Sequence, residues 1–378
     1  MDICNVGLIG LGGFARVISA SLKESKKVRI TAGADIDVHK IEAFKKETGI
    51  EKTYTNTVEL LSDQEIDLVI IATLPADHYD LGKLSLSAGK HVFFEKPGAL
   101  SPKSMSELIT LTETNNLKSS LDFVMRRNPI YFILKRLCEK DLFGMPERAF
   151  LENYAHDDSL PPDHWFWDYG KSGGIWVEHG VHFFDLTNWL LGFPEKAEGQ
   201  KIPRDNSNLI DRVLGTAYHQ NNVAVSYYHG FTKPEVFEHT YFSLVFEKAY
   251  ANAIGWIPIA LKIDAMVNQE VEKYMMEKLL MEARAYLPGV GVTLETMILN
   301  KLGATRLFRG KGKEYSATAR VQFTYRLTKD RWEVYRACVR KGIEDLAEAI
   351  NGEKPESDVT LHDGKRALDV AFMMEGKR

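Results

Sequence analysis

Cys4, Cys138 and Cys338 are the only cysteines in the chain, and they stand far apart with no C-x-x-C pair. That scarcity excludes a disulfide framework or a thiolate zinc site as the organising feature, and it suits a reducing cytoplasm. Long apolar runs are missing too. Stretches such as LVIIA, residues 68–72, are of strand length, well short of the ~18 residues of a membrane span. Neither sign of charge is in excess: Lys plus Arg total 48 against 52 Asp plus Glu, a formal charge of -4. A polyanionic partner such as nucleic acid calls for a basic surplus that this composition does not have. The opening MDICNVGLIG reads as a strand from its third residue, with no basic region or cleavage site before it, so no signal peptide is expected. There is no internal repeat, low-complexity tract or long block of like charge.

What the chain does have, at 378 residues, is enough length for two cores. From residue 3 to about 123, apolar runs (ICNVGLIG, VRITAGAD, DLVIIA, HVFFEK, LKSSLDFV) alternate with helical stretches at 13–26, 38–47, 76–88 and 102–115. Strands apolar on both sides and linked by helices predict a parallel, doubly wound sheet covered on both faces. Between the first strand and first helix stands GLGGFA, in which Gly10, Gly12 and Ala15 fit G-x-G-x-x-(G/A). The first glycine allows the tight turn, the second lets backbone approach a pyrophosphate, and the small third residue lets the helix pack closely. The second strand ends in Asp35, where a carboxylate accepts ribose hydroxyls. Asp35 is followed by Ile36 and Asp37 with no Arg to hold a 2′-phosphate, so NAD is favoured over NADP.

The last strand but one of this half runs into FFEKPGALS, so Glu95 and Lys96 emerge at a strand C-terminal end, where ligands of open parallel sheets bind. Position alone leaves a solvated loop lysine about as good a reading. A second polar concentration lies in SGGIWVEHGVHFFD, residues 172–185, with Glu178, His179, His182 and Asp185. On an α-helix Glu178 and His182 share a face, with Asp185 one turn further. Glu178 and His182 with His164 or Asp185 are also metal-ligand types, although no H-E-x-x-H pattern is present, and no metal is expected.

The residues at 7–16 (GLIGLGGFAR), 71–100 (IATLPADHYDLGKLSLSAGKHVFFEKPGAL), 172–192 (SGGIWVEHGVHFFDLTNWLLG) and DGKRALDVAFMM near the end resemble, in order, the motifs of the Gfo/Idh/MocA family, relatives of glucose-fructose oxidoreductase and inositol dehydrogenase. The resemblance implies a Rossmann domain over 1–123 and, over 124–378, a substrate-binding and oligomerisation domain built on a large, mostly antiparallel sheet, with a sugar or polyol oxidised in the cleft. It implies NAD contacts at Gly10, Gly12, Gly13, Phe14, Ala15, Asp35, Ile36, Thr73, Leu74, His78, Glu95 and Lys96. Lys96 falls on the lysine of the family's EKP motif, His182 on its catalytic histidine, and Glu178 where most members carry Asp. Histidine near its ordinary pKa suits removal of a hydroxyl proton, and a lysine suits the charge that develops on oxygen. Glu178 would orient substrate or tune His182. The extra methylene of Glu178, and His179 at a position usually apolar or small, leave the substrate open rather than the reaction class.

The second half reads independently as strands: 212–231 around Asn221 and Asn222, and 237–256 around Glu247 and Lys248. Trp165 and Trp167 stand in a proline-containing loop, either as core aromatics or as a platform for a sugar's C–H face. Arg126 and Arg127 have a solvated or hinge role, or reach substrate. Residues 262–312 read as a helical insertion with apolar faces Val271, Met275, Leu279 and Met276, Leu280, Ala283, and RGKGKEY at 309–315 as a flexible loop. Final helices at about 335–350 and 363–376 should pack back on the body. The reading that follows is a cytoplasmic NAD-dependent oxidoreductase acting on a secondary alcohol of a small-molecule sugar, polyol or derivative, assembled as a homodimer or homotetramer. The alternatives are a redox-neutral glycosidase or epimerase working through a transient keto-sugar, and a non-catalytic cofactor- or sugar-sensing regulator.

Overall fold

A computed structural model describes residues 3–303 and 307–377. In chain order the first part runs β1 (Cys4–Ile9), α1 (Gly13–Leu22), β2 (Val28–Ala34), α2 (Val38–Thr48), β3 (Thr53–Tyr54), α3 (Thr57–Ser62), β4 (Leu68–Ile71), α4 (His78–Ser87), β5 (His91–Phe94), α5 (Pro102–Thr114) and β6 (Ser119–Leu121). After it come α6 (Pro129–Lys140), β7 (Pro146–His156), α7 (Tyr169–Ser172), α8 (Val181–Leu191), β8 (Lys196–Pro203), β9 (Ile210–His219), β10 (Val223–Lys233), β11 (His239–Phe246), β12 (Ala249–Ile254), β13 (Ala260–Val267), α9 (Gln269–Lys273), α10 (Leu280–Tyr286) and β14 (Val292–Lys301). The chain ends with β15 (Leu307–Gly310), β16 (Lys313–Ser316), β17 (Ala319–Leu327), α11 (Arg331–Ile350) and α12 (Leu361–Met374). It forms two compact units that follow no single cut in sequence: 1–124, 163–185 and 336–372 make one, and 125–162, 186–335 and 373–378 the other.

In the first unit six strands lie in the order β3-β2-β1-β4-β5-β6, and every pairing is parallel. The order reverses between β1 and β4, which is the switch point where open α/β sheets bind ligands. Burial matches the two-sided expectation: Leu68, Val69, Ile70 and Ile71 of β4 are all buried, as are Val92, Phe93 and Phe94 of β5. Removing each phenylalanine from water contributes ~1.5–3 kcal/mol. The terminal helices belong here over 336–372, tied by Ser25 to Glu344, Lys27 to Glu348 and Ser120 to the Val359 carbonyl.

The second unit is built on nine strands in the order β14-β17-β13-β12-β11-β7-β10-β9-β8, antiparallel except for β7 beside β10. Burial alternates along β7, β10 and β17, so one face is covered and the other is not. Leu151, Val225, Leu244, Ile263, Val321 and Phe323 lie on the covered side. Asn221 and Asn222 turn the β9–β10 hairpin in left-handed backbone with φ of 58° and 61°, within the three-residue loop between the paired His219 and Val223. The β11–β12 hairpin turns at Glu247 and Lys248.

The segment 262–312 departs from its sequence reading. Only 269–286 is helical, whereas β13 reaches Val267, β14 is an edge strand, and the supposed flexible loop forms the β15–β16 hairpin. The helical run covers its own sheet: Met275, Leu279 and Ala283 are buried, Met276 is exposed, and the Tyr325 hydroxyl donates to the Met275 carbonyl at 2.7 Å. Residues 304–306 of the segment lie outside the described residues. No helix among the described residues is long and apolar enough to cross a membrane.

Candidate active site

The glycine turn is fixed by sterics before any ligand enters. Gly10 has φ 88°, and a Cβ there would lie 2.7 Å from the Ala72 carbonyl oxygen at the end of β4, so a side chain is excluded. Gly12 and Gly13 face open space instead, with no heavy atom within 4 Å of where a Cβ would stand. Gly12 caps α1 without a side-chain hydrogen bond, and the first turn carries no acidic residue, in contrast to α2 and α5, whose starts are capped by Asp37 and Ser101. The helix N–H groups are thus left for an anion, and Ala15, fully buried, lets α1 sit close to the sheet. Phe14 is half-buried at the helix start. Asp35, one residue past β2, accepts the Leu11 N–H at 2.8 Å and the Asp37 N–H at 2.9 Å. Its carboxylate is locked beside the glycine turn, while Ile36 points outward, 92% exposed. These features fit the pyrophosphate and ribose of a dinucleotide.

Thr73, Leu74 and His78 follow β4, and Glu95 and Lys96 follow β5, so the paired strands deliver both groups to the same edge of the sheet. The SGG segment supplies the facing element. Asp168 caps α7 through the Gly170 N–H, the Ser172 hydroxyl accepts from the Gly174 N–H, and Gly173 and Gly174 both take left-handed backbone with φ 77° and 81°. A Cβ on Gly173 would lie 2.7 Å from Val177, which is why the pair turns so tightly into the next helix. That helix opens as a π turn over Trp176–Gly180 before becoming α8. The wider i→i+5 turn, frequent at functional sites, replaces the α-helical face assumed from the spacing.

Glu178 nevertheless reaches Lys96: the ammonium Nζ donates to the Glu178 carboxylate at 2.6 Å and to the Glu178 carbonyl at 2.8 Å, with both side chains 12% exposed. Burial alone would lower the Lys96 pKa, but the carboxylates of Glu178 and Glu95 outweigh it and hold it above the ordinary lysine value. Glu95 is pushed up to about 8 by burial, with Asp122 and Glu178 adding to the rise against the pull of Lys96. His179 is driven down to about 3 by burial and by the Lys96 ammonium. His182, 5% exposed, falls well below its usual value through burial, Lys96 and His179. The sequence predicts a histidine near its ordinary pKa; burial, with the enclosed cation beside it, makes it a neutral imidazole instead. The group set is a charged lysine, its carboxylate partner and neutral histidine bases.

Two contributors carry no motif signal. Asp122, just past β6, is 1% exposed and its charge bears on both Lys96 and Glu95. Phe123 stands edge-on to the His182 ring at 6.3 Å. The end of β6 was visible in LKSSLDFV, and strand-end position was the one available clue. Trp165 and Trp167 are half-buried around a short 3-10 turn, each edge-on to the buried Phe166 between them. His164 caps that turn by accepting the Phe166 N–H. Among the described residues no three His, Cys, Asp or Glu side chains are arranged to hold a metal. Arg126 and Arg127 belong to the second unit; both are buried, which removes the solvated reading, and the Arg126 carbonyl accepts the Tyr286 hydroxyl at 2.6 Å.

A doubly wound sheet with an uncapped glycine turn at its switch point, and a buried lysine, carboxylate and imidazole set past its strand ends, defines a dinucleotide-fold protein equipped for acid–base work. Comparison with known proteins places it further. The family model described as an oxidoreductase family with an NAD-binding Rossmann fold matches residues 4–123, and the GFO/IDH/MocA C-terminal domain matches residues 134–250, more than half of the chain between them. The chain belongs to the Gfo/Idh/MocA family. It is 28% identical over 213 residues to myo-inositol 2-dehydrogenase of Thermotoga maritima, covering 56% of this chain and 61% of that protein. The chain spans under two thirds of the length of the first curated relatives it matches. Among solved structures, levoglucosan dehydrogenase in complex with NADH and levoglucosan superposes with a TM-score of 0.77 at 14% identity, covering 99% of this chain and 97% of that one. Myo-inositol 2-dehydrogenase from Lactobacillus plantarum gives 0.72 at 16% identity, covering 99% and 97%. At such identities the likeness establishes the fold.

Proposed function

We propose that this protein is an NAD-dependent oxidoreductase acting on a secondary alcohol of a sugar, polyol or derivative. The observation that carries the reading is the buried Lys96–Glu178 pair with a neutral His182 beside it. The nicotinamide, when bound, supplies the acceptor for the hydride of a carbinol carbon. Glu178 keeps Lys96 protonated, and the ammonium holds the substrate oxygen as negative charge develops there. Neutral His182 has a ring lone pair to accept the hydroxyl proton, and its low pKa returns that proton readily once the alcohol has reacted. Glycines 10, 12 and 13 with Phe14 and Ala15 receive the pyrophosphate, Asp35 the ribose, and Thr73, Leu74 and Glu95 line the nicotinamide end, while His78, expected there from the sequence, is buried with its ring nitrogens against main-chain carbonyls behind it. His179, Trp165 and Trp167 contact substrate.

The wider reading is that residues 1–123 serve the cofactor and 124–378 the substrate and assembly, as a cytoplasmic homodimer or homotetramer. Relatives named inositol dehydrogenases favour a polyol. The test is absorbance at 340 nm with NAD and a panel of polyols, aldoses, uronates and glycosides, run beside Lys96→Met and His182→Ala. Net reduction lost in both variants supports the reading. Tight NAD binding with no NADH from any compound, but with isomerised or cleaved product, replaces it with redox-neutral chemistry, and no product at all replaces it with a sensor.

A further inference from the structure

We propose that His78 is a positioning residue for Lys96, strapping the turn that carries the lysine to the neighbouring strand end. This rests on the reading of Lys96 given above. The His78 ring is 1% exposed and opens α4, directly behind the ends of β4 and β5. Its Nδ1 lies 2.6 Å from the Pro97 carbonyl oxygen and its Nε2 3.2 Å from the Thr73 carbonyl oxygen. Both partners only accept, so both contacts become hydrogen bonds only if the ring carries two N–H groups. Burial, and the Lys96 ammonium with it, work against that charged form, while the two carbonyls and Asp77 work for it. With one proton, the ring places it where the contact is shorter, on Nδ1 toward Pro97.

The Pro97 carbonyl belongs to the peptide that follows Pro97, so the bond fixes the main chain one residue beyond Lys96, close to the root of the lysine side chain. The tip is fixed separately, by the Glu178 carboxylate and carbonyl. Lys96 is therefore held at both ends, and a ring that spends its nitrogens on main-chain carbonyls is turned into the protein rather than toward a ligand. Losing the root constraint lets the main chain beside Lys96 shift, so that Glu178 alone sets where the ammonium sits, and a ~1 Å misplacement of a catalytic group costs up to ~10²-fold in rate.

The experiment uses side chains that mimic one ring nitrogen each in the full-length protein: His78→Asn places its amide nitrogen where Nδ1 was, His78→Gln where Nε2 was, and His78→Leu offers neither. Two readouts are taken, kcat with its KM on the alcohol that serves the parent protein, and the rate of acetylation of Lys96 by acetic anhydride followed by mass spectrometry, which needs no substrate. NAD affinity and thermal midpoint are measured alongside. The expected result is that Asn keeps kcat within about threefold while Gln and Leu lose about 10- to 100-fold in kcat with little change in KM. Lys96 acetylation should quicken in Gln and Leu only. Rescue by Gln instead of Asn, equal behaviour of all three variants, or losses that simply follow the thermal midpoint would each overturn the strap. Lys96→Met separates the two readings: if it retains the parent's turnover, the role of Lys96 itself fails, whereas an inert Lys96→Met beside a fully active His78→Gln rejects the strap alone.

Discussion

Lys96 is gripped by a single residue twice, since Glu178 offers its ammonium both a side-chain oxygen at 2.6 Å and its own main-chain carbonyl at 2.8 Å. The carbonyl contact survives most substitutions at 178, so variants there isolate what the carboxylate does. Its charge favours the ammonium form of Lys96, and removing it lets burial pull the Lys96 pKa down.

Glu178→Gln is therefore expected to move the alkaline limb of kcat/KM to lower pH and to reduce the plateau by about 10- to 100-fold. Glu178→Asp withdraws the carboxylate by one methylene without removing the charge, so its main effect should fall on substrate KM. Steady-state kinetics from pH 6 to 10 in the two variants check both statements. An alkaline limb that stays in place in Glu178→Gln shows that the carboxylate does not tune Lys96.

Stability should decline as pH falls through the range set by the buried histidines. His179 is held at about 3 in the folded chain against ~6.5 when unfolded, so between those values the unfolded chain binds the extra proton. Folding stability then rises with pH across that window and levels off above it. Glu95 works in the opposite sense: raised to about 8 from an ordinary carboxyl value, it stabilises the fold most at low pH and loses that contribution as pH climbs to 8. The two windows overlap, so the clean observable is a difference. Urea midpoints of the parent and His179→Phe, compared from pH 4.5 to 7.5, should show the parent losing stability relative to the variant as pH falls, with a steady difference near neutrality, if the parent carries the histidine penalty. A constant offset across the range rejects it.

Much of this is legible in the sequence. The two-sided apolar runs of β4 and β5 dictated a parallel sheet, and G-x-G-x-x-A between a strand and a helix located its ligand-facing turn. Asn221-Asn222 announced a hairpin because few other residues accept left-handed backbone at two successive positions. Three features escaped. The π turn at Trp176–Gly180 depends on how Gly173 and Gly174 pack against Val177 and Tyr169, which no local propensity encodes. The low pKa of His182 comes first from burial and then from Lys96, 86 positions away in sequence, and only folding supplies either. Strand β14 falls inside the stretch that reads as a helical insertion, because Met297, Ile298 and Leu299 are exposed on an edge strand and show none of the alternation that marks a half-covered one.

Cofactor choice should turn on Asp35. Its two oxygens already accept the Leu11 and Asp37 N–H groups, so the carboxylate cannot swing away from an incoming 2′-phosphate, and Lys40 Nζ at 4.0 Å from Oδ2 offsets its charge only in part. Two like charges at about 4 Å oppose each other by ~1 kcal/mol in bulk water and ~4 kcal/mol at a protein surface, so NAD should be preferred over NADP by about 5- to 10³-fold. Asp35→Asn keeps one acceptor for the Leu11 N–H while removing the charge. It should weaken NAD binding by about tenfold through the lost ribose contacts and strengthen NADP binding, narrowing the preference from both sides. Titration calorimetry with each oxidised cofactor reads this directly, with no substrate present. If Asp35→Asn weakens NAD and NADP alike, the residue acts by holding the glycine turn through Leu11, and the discrimination must come from the partly neutralising Lys40 and the start of α2 instead.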